Sequence, residues 1–160
     1  MSDKPVVSQE IFQLNAVEGG LRPGTVSFKT LSMDSDKYVC VRDLQPDGQT
    51  SLAVADLERR TSERHNIKDA EAAIMNPSSK ILALRSGNNI QVFNLDTKGR
   101  LNTTTMTDAV AYWCWIDDNT IAFITNTTVF HWNATTDGAQ VQRMFDRGAD
   151  MDSSVQILSY

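Results

Sequence analysis

The feature that most constrains this chain is a repeat. Lys80-Ile-Leu-Ala-Leu84 returns 40 residues later as Thr120-Ile-Ala-Phe-Ile124, and Ile90-Gln-Val-Phe-Asn94 returns 39 residues later as Val129-Phe-His-Trp-Asn133. A looser copy reads Lys37-Tyr-Val-Cys-Val41 and then Leu52-Ala-Val-Ala-Asp56. Each unit is an apolar strand, a turn, and a second apolar strand ending near Asn or Asp. Pro46-Asp47-Gly48, Ser86-Gly87-Asn88 and Asn126-Thr127 supply turn chemistry. A further strand candidate precedes each pair, at Val26–Leu31, Glu71–Met75 and Val110–Ile116. Short strands repeating at this period predict an all-β chain built of propeller blades. Helical periodicity is weak, and Val7–Val17 fits either a short turn or β-pairing.

The units fall at about 24–67, 68–107 and 108–150, with the start of a fourth at 151–160, from Val155 to Tyr160. Closed propellers have roughly 4–8 blades. Three blades are therefore expected to be part of a larger circle, with unpaired edges and bare apolar faces on the outer units and marginal stability alone.

Composition narrows the function. Fifteen Lys and Arg against 20 Asp and Glu give a formal charge of −5, which disfavours whole-surface attraction to nucleic acid or anionic membrane. At 41% hydrophobic and 22% charged, the chain has material for a core and does not read as disordered. No apolar run reaches the ~20 residues of a membrane helix, and Met1–Pro5 lacks a signal peptide's apolar segment. Cys40 and Cys114 lie in strand-like runs and read as reduced thiols of a cytosolic protein. Sequons at Asn102, Asn126 and Asn133 read as chance matches in a Thr-rich chain.

Catalysis finds little support. His65 and His131 stand at no metal-ligand spacing, and no phosphate-binding loop or Gly-x-Ser-x-Gly elbow occurs. Neither a metal nor a cofactor is expected. Asp117-Asp118 offers two carboxylates, but neighbours in a strand point to opposite faces and Asp-Asp-Asn suits a turn. Trp113 and Trp115 share one strand face, with Tyr112 and Cys114 on the other. They suit a base-stacking platform or blade packing, and the absence of a basic residue between Ala109 and Asn126 favours packing.

One stretch suggests binding. Leu82 and Leu84 share a strand face, as do Asn89, Gln91 and Phe93 on the next strand. Lys98 and Arg100 follow immediately, and Arg59, Arg60, Arg64, His65 and Lys68 cluster upstream. Such a patch is either plain core beneath solvated cations or an apolar groove rimmed by positive charge, suited to an extended peptide with bulky apolar anchors and an acidic end.

From about Gln9 to Tyr160 the chain resembles the amino-terminal propeller of the clathrin heavy-chain family. The shared strings are DSDKYVCVR at 34–42, AIMNPSSK at 73–80, QVFN at 91–94, TMTD at 105–108, WCWI at 113–116, VFHW at 129–132 and MFDR at 144–147. The resemblance implies about three blades of a seven-bladed, non-enzymatic propeller in the cytoplasm, at coated pits and coated vesicles. Its grooves would bind short apolar-acidic motifs of endocytic adaptors for coat assembly, reaching the membrane only through them. The clathrin-box groove, for Leu-apolar-x-apolar-acidic peptides, would fall on Arg64, Leu82, Leu84, Asn89, Gln91, Phe93, Lys98 and Arg100. Asn89 stands where the family usually has Thr, and a one-residue insertion leaves the groove arginine to be sought within Arg64-His65-Asn66, with Arg64 chosen. A second, partial site for a Trp-containing motif would use Phe28, Gln156 and Leu158. The regions that contact the light chain and form the trimer lie outside this sequence. Alternatives are a truncated paralogue or another propeller scaffold without coat assembly, and a propeller hydrolase dependent on Asp117 or Asp118.

Overall fold

The computed structural model describes residues 7–14, 17, 20–22, 24–44, 48–148, 157 and 159–160. Among them β1 (Leu31–Ser32), β2 (Tyr38–Leu44), β3 (Thr50–Asp56) and β4 (Thr61–Ile67) form the first sheet. The second comprises β5 (Ala72–Met75), β6 (Ile81–Ser86), β7 (Asn89–Asn94) and β8 (Gly99–Thr105). The third comprises β9 (Tyr112–Trp115), β10 (Thr120–Ile124), β11 (Thr128–Asn133) and β12 (Gln142–Asp146). Each sheet is an antiparallel meander of four strands in chain order, the arrangement of a propeller blade.

The Asn or Asp that ends the second apolar strand of each unit has a local cause. Asp56 Oδ1 accepts from the backbone N–H groups of Glu58 and Arg59, and Asn94 Oδ1 from those of Asp96 and Thr97. Asn133 Oδ1 accepts from Thr136 N–H. These side chains mimic a backbone turn and reverse the chain into β4, β8 and β12.

Three expectations change. Val26–Leu31 is a strand only at Leu31. Thr30 Oγ1 accepts from Ser27 N–H at 2.9 Å, and Leu31 N–H bonds Ser27 C=O at 2.9 Å, so the chain turns there. Val7–Gln13 is neither helix nor strand; of the expected fourth unit, only Ile157, Ser159 and Tyr160 are among the described residues and the rest lies outside them. The third correction concerns the repeat. Leu82 pairs with Phe93 and Leu84 with Gln91, whereas Ile121 pairs with Trp132 and Phe123 with Phe130. The equivalence between these sheets is therefore 39 residues on both strands, not 40 on the first. In a structure of period two, that single residue exchanges the two faces.

Alternation then builds two seams. Cys40, Leu52, Val54 and Ile67 of the first sheet pack on Ala73, Met75 and Leu82 of the second. The opposite face of the second sheet, with Ile74, Ala83, Ile90 and Val92, packs on Trp113, Trp115, Ile121, Phe123 and Trp132. Trp132 stacks with Phe123 at 6.2 Å between ring centroids and donates Nε1–H to Ala139 C=O at 2.9 Å. The tryptophans of β9 are thus packing residues rather than an open platform.

The outer faces are not bare. On the first sheet Val39, Val41, Ala53 and Ala55 are buried, as are Cys114, Ala122, Ile124 and Val129 on the third. The segment before β1 is tied to the first sheet through buried Asp43, whose carboxylate accepts from Arg22 Nε–H and Arg64 NH1 at 3.1 Å each and from Thr25 Oγ1 at 3.2 Å. On the third sheet Ile157 and Tyr112 both pack against its buried cluster, and Tyr160 Oη lies 2.9 Å from His131 Nε2. Among the described strand residues the exposed large apolar side chains are Leu44 at the end of β2 and Met144 and Phe145 on β12, while Phe28 and Met33 are exposed on either side of β1. Cys40 and Cys114 are buried free thiols, that of Cys40 pushed up to about 12 by burial, where it is inert.

Candidate binding cleft between the first two sheets

The first seam opens at one end into a cleft of about 360 Å³. Its second-sheet wall is Leu82, Leu84, Gln91 and Phe93. These four converge because Leu82 faces Phe93 and Leu84 faces Gln91 across the β6–β7 pair. Leu82 is fully buried and belongs to the core, whereas Leu84, Gln91 and Phe93 are only part-buried. The patch thus divides into a core residue and a part-buried cleft wall. The facing wall comes from the end of β4, with His65, Asn66 and Ile67.

Two cations border it. Lys68 follows β4, and Lys98 stands in the turn between β7 and β8. Lys98 has a left-handed backbone, φ 55°, as Arg60 does in the preceding blade's turn. Gly or Asn takes that conformation with less strain. Below them, Lys80 Nζ donates to Glu63 Oε1 at 2.7 Å and lies 3.8 Å from Asp96 Oδ1, which links the two sheets. The Lys80 hydrogen bond holds the Glu63 carboxyl below its ordinary range. His65 Nε2 is buried, lies 3.6 Å from Glu63 Oε2 and has no hydrogen-bond partner. Burial pushes its imidazole down, so the ring is neutral at pH 7.

Of the expected groove residues, the structure brings together Leu82, Leu84, Gln91, Phe93 and Lys98. Asn89 lies outside this lining, its Oδ1 accepting from Thr105 Oγ1 at 2.7 Å. Arg100 is exposed opposite Phe93, beside a bulge in the β7–β8 pairing. Arg64 is a correction. Strand alternation turns it to the other face, where NH1 bonds Asp43 and also donates to Ser51 Oγ at 2.9 Å, and NH2 bonds Gly20 C=O. His65, Asn66, Ile67 and Lys68 line the cleft in its place. Phe28 is fully exposed on the turn before β1, while Gln156 and Leu158 lie outside the described residues.

The carboxylate pair resolves into turn geometry. Asp117 Oδ1 accepts from Asn119 and Thr120 N–H at 2.7 Å each, which holds its carboxyl below the usual range. The Asp118 C=O accepts from Asn76 Nδ2 across the second seam at 2.8 Å. Among the described residues no three His, Cys, Asp or Glu side chains cluster as a metal site, and no helix is long and apolar enough to cross a membrane.

No protein-family model matches the chain. Among curated proteins it is 38% identical to the probable clathrin heavy chain of Schizosaccharomyces pombe and to the clathrin heavy chain of Drosophila melanogaster, and 36% identical to human clathrin heavy chain 2. Each match covers 98% of this chain but 9% of the relative, so the chain spans a small part of these proteins' length. Among solved structures, a chain of the mitotic checkpoint complex matches with a TM-score of 0.56 at 12% identity, covering 94% of this chain and 48% of that one. The WD40 domain of Toxoplasma gondii coronin matches at 0.52 and 19% identity, over 71% of this chain and 34% of that one. These structural likenesses support the fold alone. Over nearly its whole length, then, the chain is a homologue of the clathrin heavy chain, and its three four-stranded sheets are consistent with that protein's amino-terminal propeller.

Proposed function

We propose that this chain is a peptide-binding part of a cytoplasmic clathrin coat, engaging short apolar-acidic motifs of adaptor proteins in the cleft between its first two blades. The observation that carries the reading is the cleft's chemistry. Part-buried Leu84 and Phe93 offer sockets for two apolar side chains, Gln91 offers an amide between them, and Lys68 and Lys98 stand at the border for an acidic end. Burying two such anchors contributes about 3–6 kcal/mol by transfer, before the cost of ordering the peptide. Single motifs should therefore bind weakly, with strength coming from many copies in an assembled coat. Phe28 is proposed as the exposed anchor of a second motif site.

Titration calorimetry with a synthetic Leu-Ile-Ser-Leu-Asp peptide tests the main site. Gln91→Ala with Phe93→Ala should abolish the heat of binding while a thermal melt shows the variant folded. Unchanged affinity in that folded variant would remove the cleft from the function.

A further inference from the structure

The cleft's border holds an imidazole, the side chain whose ordinary titration range lies nearest neutral pH. His65 lines the cavity from β4, with Nε2 shielded from water, unpartnered, and 3.6 Å from Glu63 Oε2. Glu63 is already engaged, since Lys80 donates to its other oxygen at 2.7 Å. The charged groups around the ring come from several elements: Glu63 on its own strand, Lys80 before β6, and Lys98 after β7. Asp96 sits beyond Lys80, and Lys68 borders the same cavity. β3 places uncharged Leu52 opposite His65, and the phenol of Tyr38 on β2, packed in the same seam, is neutral. Three cations against two carboxylates leave this border net positive before His65 takes a proton.

We propose that His65 is a specificity-determining residue of this cleft, whose protonation strengthens the hold on the acidic end of an apolar-acidic peptide. The proposal rests on the peptide-binding reading above and adds its regulation. Burial disfavours the charged ring in the empty cleft, so the proton is taken up at a lower pH than by an ordinary imidazole. A carboxylate brought alongside favours the charged ring. Proton and peptide therefore reinforce one another, and by reciprocity affinity rises as pH falls. The peptide's own carboxylates, with ordinary values near 4, stay ionised through the same window. Glu63 competes for the imidazolium, but its pairing with Lys80 leaves the added charge uncompensated.

The test is calorimetry on the full 160-residue chain with Leu-Ile-Ser-Leu-Asp at pH 7.5 and pH 5.5, repeated with His65→Gln and with the Leu-Ile-Ser-Leu-Asn analogue amidated at its C-terminus. Wild type should bind the acidic peptide roughly 2–5-fold more tightly at the lower pH, the size expected of one partly screened charge. The ratio of the two affinities should fall to about one in His65→Gln, and in wild type with the neutral analogue. A flat wild-type profile, or a pH response retained by His65→Gln, would overturn the inference while leaving the cleft as the binding site. Absence of binding at both pH values would overturn the peptide-binding reading and this inference with it.

Discussion

The two seams of this molecule are built from equivalent strands and do different things. Between the second and third sheets, Ile121, Phe123, Phe130 and Trp132 occupy the positions that Leu82, Leu84, Gln91 and Phe93 hold between the first and second. With Trp113 and Trp115 added, the second seam is filled with aromatic volume. The first seam's buried cluster contains no aromatic side chain; Cys40, Ala70 and Ala73 are among its members, with Tyr38 only at its edge. The same architecture thus yields a packed interface where side chains fill the space between blades and a cleft where Leu84 and Gln91 replace two phenylalanines. In the proposed function, the binding site arises from volume withheld at one interface rather than from an added element.

The largest expected effect separates the seams by stability. Trp132→Ala empties the packed seam and should destabilise the chain by about 3–5 kcal/mol. Phe93→Ala, at the equivalent position but part-buried, should lower stability by no more than about 1–2 kcal/mol while removing peptide binding. Denaturant melts of both variants check this, and equal losses would mean that the first seam is as tightly packed as the second.

A smaller effect should follow from making the first seam resemble the second. Leu84→Phe with Gln91→Phe places aromatic volume in the cleft, and peptide affinity should fall at least tenfold with a midpoint of unfolding unchanged or raised. Retained affinity would show that the peptide sits elsewhere. The smallest effect concerns the border. Lys98→Asn relieves left-handed strain and should stabilise the chain by up to about 1 kcal/mol, yet weaken an acidic peptide about 2–5-fold. A melt and a titration on one sample separate these opposite signs.

Much of this was legible in the residues. Leu82 and Leu84, and Gln91 and Phe93, share a face by simple alternation, and their pairing followed once the Ser86-Gly87-Asn88 turn joined the strands. The outer strand of each blade was not legible. Thr61–Ile67 and Gly99–Thr105 are polar because an edge strand faces water, so they carry no clean apolar alternation. Without β4 there was no phase by which to divide the cationic cluster at 59–68. The structure sends Arg64 to Asp43 on one face and His65 to the cleft on the other. The repeat misled in a similar way, since matching Lys80–Leu84 to Thr120–Ile124 by apolar character alone slipped one residue and exchanged inside for outside.

Methyl-resolved NMR titration tests most directly the claim that the first seam is the open, binding one. With Leu-Ile-Ser-Leu-Asp added to the chain labelled at Ile, Leu and Val methyls, the resonances of Ile67, Leu82 and Leu84 should shift in a saturable way. Those of Ile90, Val92 and Ile121 in the packed seam should stay in place. Shifts confined to the second seam, or no saturable shift in either, would contradict the account.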